Sequence, residues 1–191
     1  MVHAEPEEAS LAVEIVFAEG RLRTEAEDIM HLLFVRHAAA VPAGKHGLAD
    51  ADRPLTDRGA KKFKPVARQL AKLIEKPRAI FSSPLVRARE TAEIVAGTWR
   101  GVVVGVLPAL ADGDWSAIWN AVRRFSDEDT IILVGHEDWI SNLTAELLGS
   151  TKGSAFAYRK GGLALLEVRR NYRDRATLVW FLAPHVLRRL D

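Results

Sequence analysis

The chain has 191 residues, 48% of them apolar, enough for one domain with a sizeable core and short for two. It contains no cysteine, which excludes disulfides and thiolate chemistry. The formal charge of +2 hides an asymmetry: residues 1–30 hold eight acidic side chains and two arginines, leaving 25 basic against 17 acidic residues in the body, a balance suited to an anionic substrate.

Residues 1–29 read as an N-terminal extension, acidic from Glu5 to Glu8, in which only Val13, Ile15 and Phe17 alternate as a short strand would. No positively charged start leads into an apolar stretch, which argues against a secretory signal. Charges break every apolar run well short of the roughly 20 residues that cross a bilayer. A cytoplasmic protein without a membrane partner is expected, with one domain over residues 30–191.

The first core strand is His31–Arg36, ending on Arg36-His37. After a loop rich in Ala, Gly and Asp, Thr56-Asp57 can cap a helix whose apolar residues Phe63, Val66, Leu70, Leu73 and Ile74 recur at helical spacing. Pro65 removes a backbone donor there at a cost of about 3 kcal/mol, so a kink or restart is expected near Lys64. Arg78–Ser82 is a second strand, and Pro84 opens a helix running to about Trp99. Val102–Val106 is a third strand, β-branched; Asp114 caps a helix carrying Trp115, Ile118, Trp119, Val122 and Phe125. Thr130–Gly135 is a fourth strand, followed by a helix from about Asp138 to Leu148 that stops at Gly149. Two alternating strands, Leu163–Val168 and Thr177–Leu182, close the chain around the polar turn Arg169–Arg175.

Strands alternating with helices imply an α/β fold, a three-layer α/β/α sandwich whose central sheet is mostly parallel with an antiparallel edge strand. Ligands of such sheets bind beyond the carboxyl ends of the strands. Arg36-His37, the start of Ser82-Ser83-Pro84-Leu85-Val86-Arg87, and Gly135-His136 all fall there. Arginine's planar fork of donors matches two phosphoryl oxygens at once, and histidine can both attack phosphorus and donate to its oxygens. The expected division of labour is one neutral imidazole attacking while an imidazolium steadies the charge. Ser82 and Ser83 either donate to phosphate or cap the following helix.

These motifs resemble the histidine phosphatase superfamily, with its phosphoglycerate mutase-like fold, and within it the small SixA-like phosphohistidine phosphatases. The resemblance rests on Arg36-His37, on Arg53-Pro54-Leu55-Thr56 with Gly59, on the string from Ser82 to Ala92, and on Val134-Gly135-His136. It implies that His37 is the nucleophile and that Arg36, Arg87 and His136 bind the phosphoryl group, with Arg53 reaching the same pocket. It implies no cofactor, and as partner a phosphorylated protein, such as a histidine phosphotransfer domain, or a small phosphorylated metabolite. Larger members carry a glutamate proton donor after the third strand; here that segment offers only Asp112 and Asp114. A weak phosphoramidate bond would need less acid assistance, so the short chain and the missing glutamate both favour protein phosphohistidine as substrate. The alternatives are a small phosphomonoester, with Asp112 or Asp114 as acid, and a phosphate- or phosphoprotein-binding module without turnover.

Other readings lack support. No paired histidines stand one helical turn apart and there is no cysteine, so no metal site is identifiable. Gly44-Lys45-His46-Gly47 is not a phosphate-binding P-loop, and no nucleic-acid motif accompanies the basic charge. His3, His31, His46 and His185 have no partner pattern. The arginines from Arg169 to Arg175, with Arg188 and Arg189, form a basic tail able to dock an acidic protein.

Overall fold

The structure, a computed structural model, describes residues 29–126, 128–150, 153–169 and 176–191. The expected extension, apart from Ile29, and most of the polar turn after Arg169 lie outside the described residues.

Six strands form one sheet in the order β3-β2-β4-β1-β5-β6. They are β1 (Ile29–Arg36), β2 (Ala79–Ser82), β3 (Val104–Val106), β4 (Thr130–Gly135), β5 (Leu163–Arg169) and β6 (Ala176–Leu182). The first four pair in parallel, while β5 is antiparallel to both β1 and β6. The closing pair thus forms one side of the sheet as its alternation predicts, with the reversed strand one place in from the edge.

The period-2 pattern explains the layers. Leu33 and Val35 of β1, Ile80 of β2, Ile132 and Val134 of β4, and Leu163 and Leu165 of β5 face one core. Helices α1 (Asp57–Leu73), α2 (Val86–Ala96) and α5 (Pro184–Leu187) cover that core. The alternate residues Met30, Leu32, Phe34, Ile131, Leu133, Ala164 and Leu166 face a second core under α3 (Trp115–Val122) and α4 (Glu137–Leu147). Burial on both faces is why β1 and β4 read as unbroken apolar runs. No helix among the described residues is long and apolar enough to cross a membrane.

Three local readings change. Helix α1 runs through Pro65 without a restart, because Phe63, Val66, Ala67 and Leu70 are all buried and their packing outweighs the lost backbone bond. Helix α2 ends three residues before Trp99 and α3 stops before Phe125, each in a short turn. The four-residue helix α5, begun by Pro184, has no apolar periodicity to announce it.

The loop after β1 is fixed by α1. Thr56 Oγ1 accepts from the Gly59 amide at 2.9 Å, capping the helix, while the Thr56 amide donates to the Ala39 carbonyl at 3.0 Å. A Cβ on Gly59 would stand 2.0 Å from that same carbonyl oxygen. This accounts for the threonine and the glycine three residues on: one ends the strand-to-helix loop, the other lets backbone approach backbone. Alanine normally favours a helix over glycine by about 1 kcal/mol. Here Gly59→Ala is expected to destabilise by about 1–3 kcal/mol through overpacking, read as a lower urea midpoint; an unchanged or higher midpoint would refute the contact.

Candidate active site

Strand adjacency assembles the site. Beyond the strand ends the ladder continues, with the His37 amide donating to Gly135 O and the Ser83 amide to Val134 O, both at 3.0 Å. His37, His136 and Ser83 therefore lie side by side at the carboxyl edge of β1, β4 and β2. The imidazole centroids are 5.3 Å apart and both rings are buried.

His37 Nδ1 lies 2.7 Å from the Ala38 carbonyl oxygen, so this nitrogen carries the proton and donates it. Its Nε2 is left with the lone pair. Residue Ala38 is itself held, its amide donating to Thr91 Oγ1 at 3.0 Å and the Thr91 hydroxyl donating to Arg87 O at 2.6 Å. Burial pushes His37 down to about 3; the Ala38 bond opposes this, and His136, Arg87 and Arg36 add to it. At neutral pH the ring is an uncharged base with one nitrogen committed to the backbone.

His136 Nε2 lies 2.8 Å from Ser83 Oγ, which also accepts from the Leu85 amide at 3.3 Å. A hydroxyl already accepting there can give its hydrogen to Nε2, which puts the His136 proton on Nδ1. That Nδ1 is buried and has no hydrogen-bond partner among the described residues. Burial, then Arg87, pushes His136 down to about 4, against the pull of Asp138 and Asp50. Both imidazoles are neutral near pH 7, in contrast to the expected imidazolium; an arriving phosphoryl dianion would work to restore that charge. Ser83 thus serves the histidine, and neither serine supplies the cap of α2.

The arginines divide into two kinds. Arg36 Nη1 pairs with Glu137 Oε2 at 2.5 Å and also donates to Tyr158 O. Arg87 donates from Nη1 to Asp50 O at 2.7 Å and from Nη2 to Asp50 Oδ2 at 3.0 Å. In both residues Nε is buried without a partner among the described residues. Unpaired buried donors cost about 1–3 kcal/mol each, and Arg36 Nε, Arg87 Nε and His136 Nδ1 make three such atoms. Arg53 differs. It donates from Nε and Nη2 to Asp50 Oδ1 at 2.9 and 2.6 Å, and from Nη1 to Val41 O at 2.6 Å, so each of its three nitrogens already has a protein partner.

Asp114 accepts from the Ala117 amide at 3.1 Å as the cap of α3, and Asp112 is exposed. Among the described residues no hydrogen bond or ion pair ties either carboxylate to the histidine pair, whereas the charges of Asp50 and Asp138 are felt by both Arg87 and His136. Sequence reasoning passed over Asp50, Glu137 and Thr91. Signals for them existed: Asp50 precedes Arg53 by three residues, Glu137 follows His136 directly, and Thr91 is one helical turn after Arg87.

A sheet that gathers two histidines and two arginines with free donors at three adjacent strand ends is the architecture of a phosphatase. The family model described as histidine phosphatase superfamily (branch 1) matches residues 32–121. An uncharacterized protein of Picosynechococcus sp. is 32% identical over 138 residues, covering 70% of this chain and 82% of that protein. The chain belongs to the histidine phosphatase superfamily. Its fold is similar to that of the protein histidine phosphatase SixA complexed with tungstate, with a TM-score of 0.70 at 22% identity over 83% of this chain and 99% of that one. It is likewise similar to the Agrobacterium tumefaciens protein assigned as phosphohistidine phosphatase SixA, with a TM-score of 0.67 at 24% identity over 81% and 97% of the two chains. A phosphoserine phosphatase of Entamoeba histolytica gives 0.58 at 18% identity over 81% and 98%.

The neutral histidines carry a stability signature. Their folded pKa values, about 3 for His37 and about 4 for His136, lie below the unfolded value near 6.5. The unfolded chain therefore binds more protons as pH falls, so stability present above about pH 6.5 is lost on the way down to pH 4. The urea midpoint is expected to drop across that window, and less steeply in His37→Asn and His136→Asn. Equal slopes in wild type and both variants would show that the histidines are not held neutral.

Proposed function

We propose that this phosphatase removes the phosphoryl group of a protein phosphohistidine through a covalent phosphohistidine intermediate on His37. The observation that carries the reading is the His37 tautomer: Nδ1 is bound to Ala38 O at 2.7 Å, which leaves Nε2 as the attacking atom. In the first step the Nε2 lone pair forms a bond to phosphorus as the P–N bond of the substrate breaks, and the leaving imidazole takes up a proton. In the second, water attacks the phosphorus of phospho-His37, giving inorganic phosphate and the free imidazole. Arg36, Arg87 and His136 hold the oxygens through the three buried donors without protein partners.

Two features support a protein substrate. No hydrogen bond or ion pair among the described residues joins Asp112 or Asp114 to the histidine pair, which suits a leaving group needing little acid assistance. A recess of about 190 Å3 also opens beside the His37 loop, lined by Arg58, Lys62, Lys160 and Arg188 over Ala38, Ala39 and Gly59. None of those four cations is in an ion pair among the described residues. Lys160 precedes Gly161, whose amide donates to His37 O at 3.0 Å, so the recess and the nucleophile share a wall. Acidic side chains flanking a phosphohistidine would be met there. The similarity to SixA holding tungstate, a tetrahedral oxyanion, points the same way.

The test is a quench experiment with a phosphohistidine-bearing phosphotransfer domain and a panel of phosphomonoesters. Acid-labile phosphate should appear on wild type and be absent from His37→Ala, with the phosphoprotein preferred. Preference for the panel would replace this reading with that of a small-molecule phosphatase, and binding without label or turnover would favour a phosphate-binding module. Separately, Lys62→Glu with Arg188→Glu should raise KM for the phosphoprotein by about tenfold, the order of two screened surface contacts, and raise KM for an aryl phosphate less. Equal effects on both substrates would remove the recess from the account.

A further inference from the structure

We propose that Asp50 is a positioning residue for phosphoryl binding: held by Arg53, it grips the outer edge of Arg87, so that Arg53 acts on the phosphoryl group through Asp50 rather than by contact. This rests on the reading of Arg87 as a phosphoryl ligand.

The Arg87 side chain is 7% exposed and that of Asp50 60%, so Asp50 approaches the guanidinium from the solvent side. It does so twice, through its carbonyl oxygen to Nη1 and through Oδ2 to Nη2. A guanidinium is rigid and planar, so fixing both terminal nitrogens fixes the direction of the third. That third nitrogen, Nε, is the buried donor without a protein partner. Asp50 therefore occupies the donors a phosphoryl group does not need and orients the one it does.

Arg53 completes the chain. Nε and Nη2 converge on the single oxygen Oδ1, leaving Oδ2 for Arg87, and Nη1 ties the arrangement to Val41 O. Asp50 to Asp52 form one short 3-10 turn whose following residue is Arg53, so carboxylate and arginine are fixed by the same few backbone bonds. The electrostatics agree: burial works against the charge on Arg87, with Asp50 the largest opposing influence, and Arg53 holds the Asp50 carboxyl below its usual range. Asp50 is thus ionised at neutral pH and suited to orienting a cation rather than to delivering a proton.

The chain Arg53–Asp50–Arg87 makes a prediction that direct contact by Arg53 does not. If Arg53 works only through Asp50, removing it after Asp50 is gone changes nothing further. The experiment measures inhibition by inorganic phosphate, together with kcat and KM for a phosphohistidine protein, in wild type, Asp50→Ala, Asp50→Asn, Arg53→Ala and the Asp50→Ala/Arg53→Ala double variant. Phosphate inhibition should weaken by about tenfold or more in Asp50→Ala, as for other residues that orient a ligand group from behind. Asp50→Asn, which keeps an acceptor oxygen and the backbone carbonyl, should lie between it and wild type, and the double variant should match Asp50→Ala. Tighter phosphate binding in Asp50→Ala would overturn the proposal by making Asp50 a competitor for Arg87. Additive losses in the double variant would overturn it by returning Arg53 to direct contact. Asp50→Asn keeps the comparison available if the alanine variants fold poorly. Phosphate inhibition reads Arg87 without requiring His37 to be phosphorylated, so failure of the covalent reading shows in the absence of label on wild type, independently of these ratios.

Discussion

The hydrogen bond from His37 Nδ1 to the Ala38 carbonyl oxygen is the constraint on which the rest of the site depends. It selects the tautomer, and it works only while the Ala38 peptide keeps its orientation. The Ala38 amide, on the other side of the same residue, is held by Thr91, and the Thr91 hydroxyl returns to the Arg87 carbonyl one turn earlier in α2. One residue later, the Ala39 carbonyl is taken by Thr56 at the head of α1. Ala38 and Ala39 are thus clamped by α2 and by the head of α1, which explains why small side chains suffice there. Space goes to backbone hydrogen bonds, and the His37 ring gains its orientation from them.

Burial supplies the second half of the device. Burial, with Arg36 and Arg87 adding to it, works against charge on the two imidazoles, and both are pushed well below their ordinary range. The cations are in turn compensated from outside, Arg36 by Glu137 and Arg87 by Asp50. Carboxylates stand on the far side of each guanidinium, and unpaired Nε donors remain. On the proposed function this is preorganisation: the Nε donors are desolvated before a phosphoryl group arrives.

Much of this was legible in the sequence, and the limit has a physical origin. The unbroken apolar runs of β1 and β4 announced a sheet buried on both faces, and the strand ends placed Arg36, His37 and His136 at one edge. Thr56 was visible as a helix cap and Gly59 only as part of a family motif; the need for Gly59 came from the approach of the Ala39 carbonyl, a contact between elements. Pro65 misled because a local penalty was weighed without the packing of its neighbours. Arg53 was placed in the pocket by resemblance, and the structure pairs it with Asp50, a partner the resemblance did not name. Asp50 escaped because it sits in a polar loop without periodicity, where spacing carries little information and partners are chosen by the folded chain. The partners of arginine are, in general, what a linear reading sees last.

The central claim is that the backbone, through Ala38, leaves Nε2 of His37 as the reacting atom. The most direct test is heteronuclear 31P–15N–1H NMR of the trapped phosphoenzyme with 15N-labelled histidine, which identifies the nitrogen bonded to phosphorus. The account predicts phosphorus on Nε2 of His37, with Nδ1 still protonated and hydrogen-bonded. Phosphorus on Nδ1, or on His136, would contradict it.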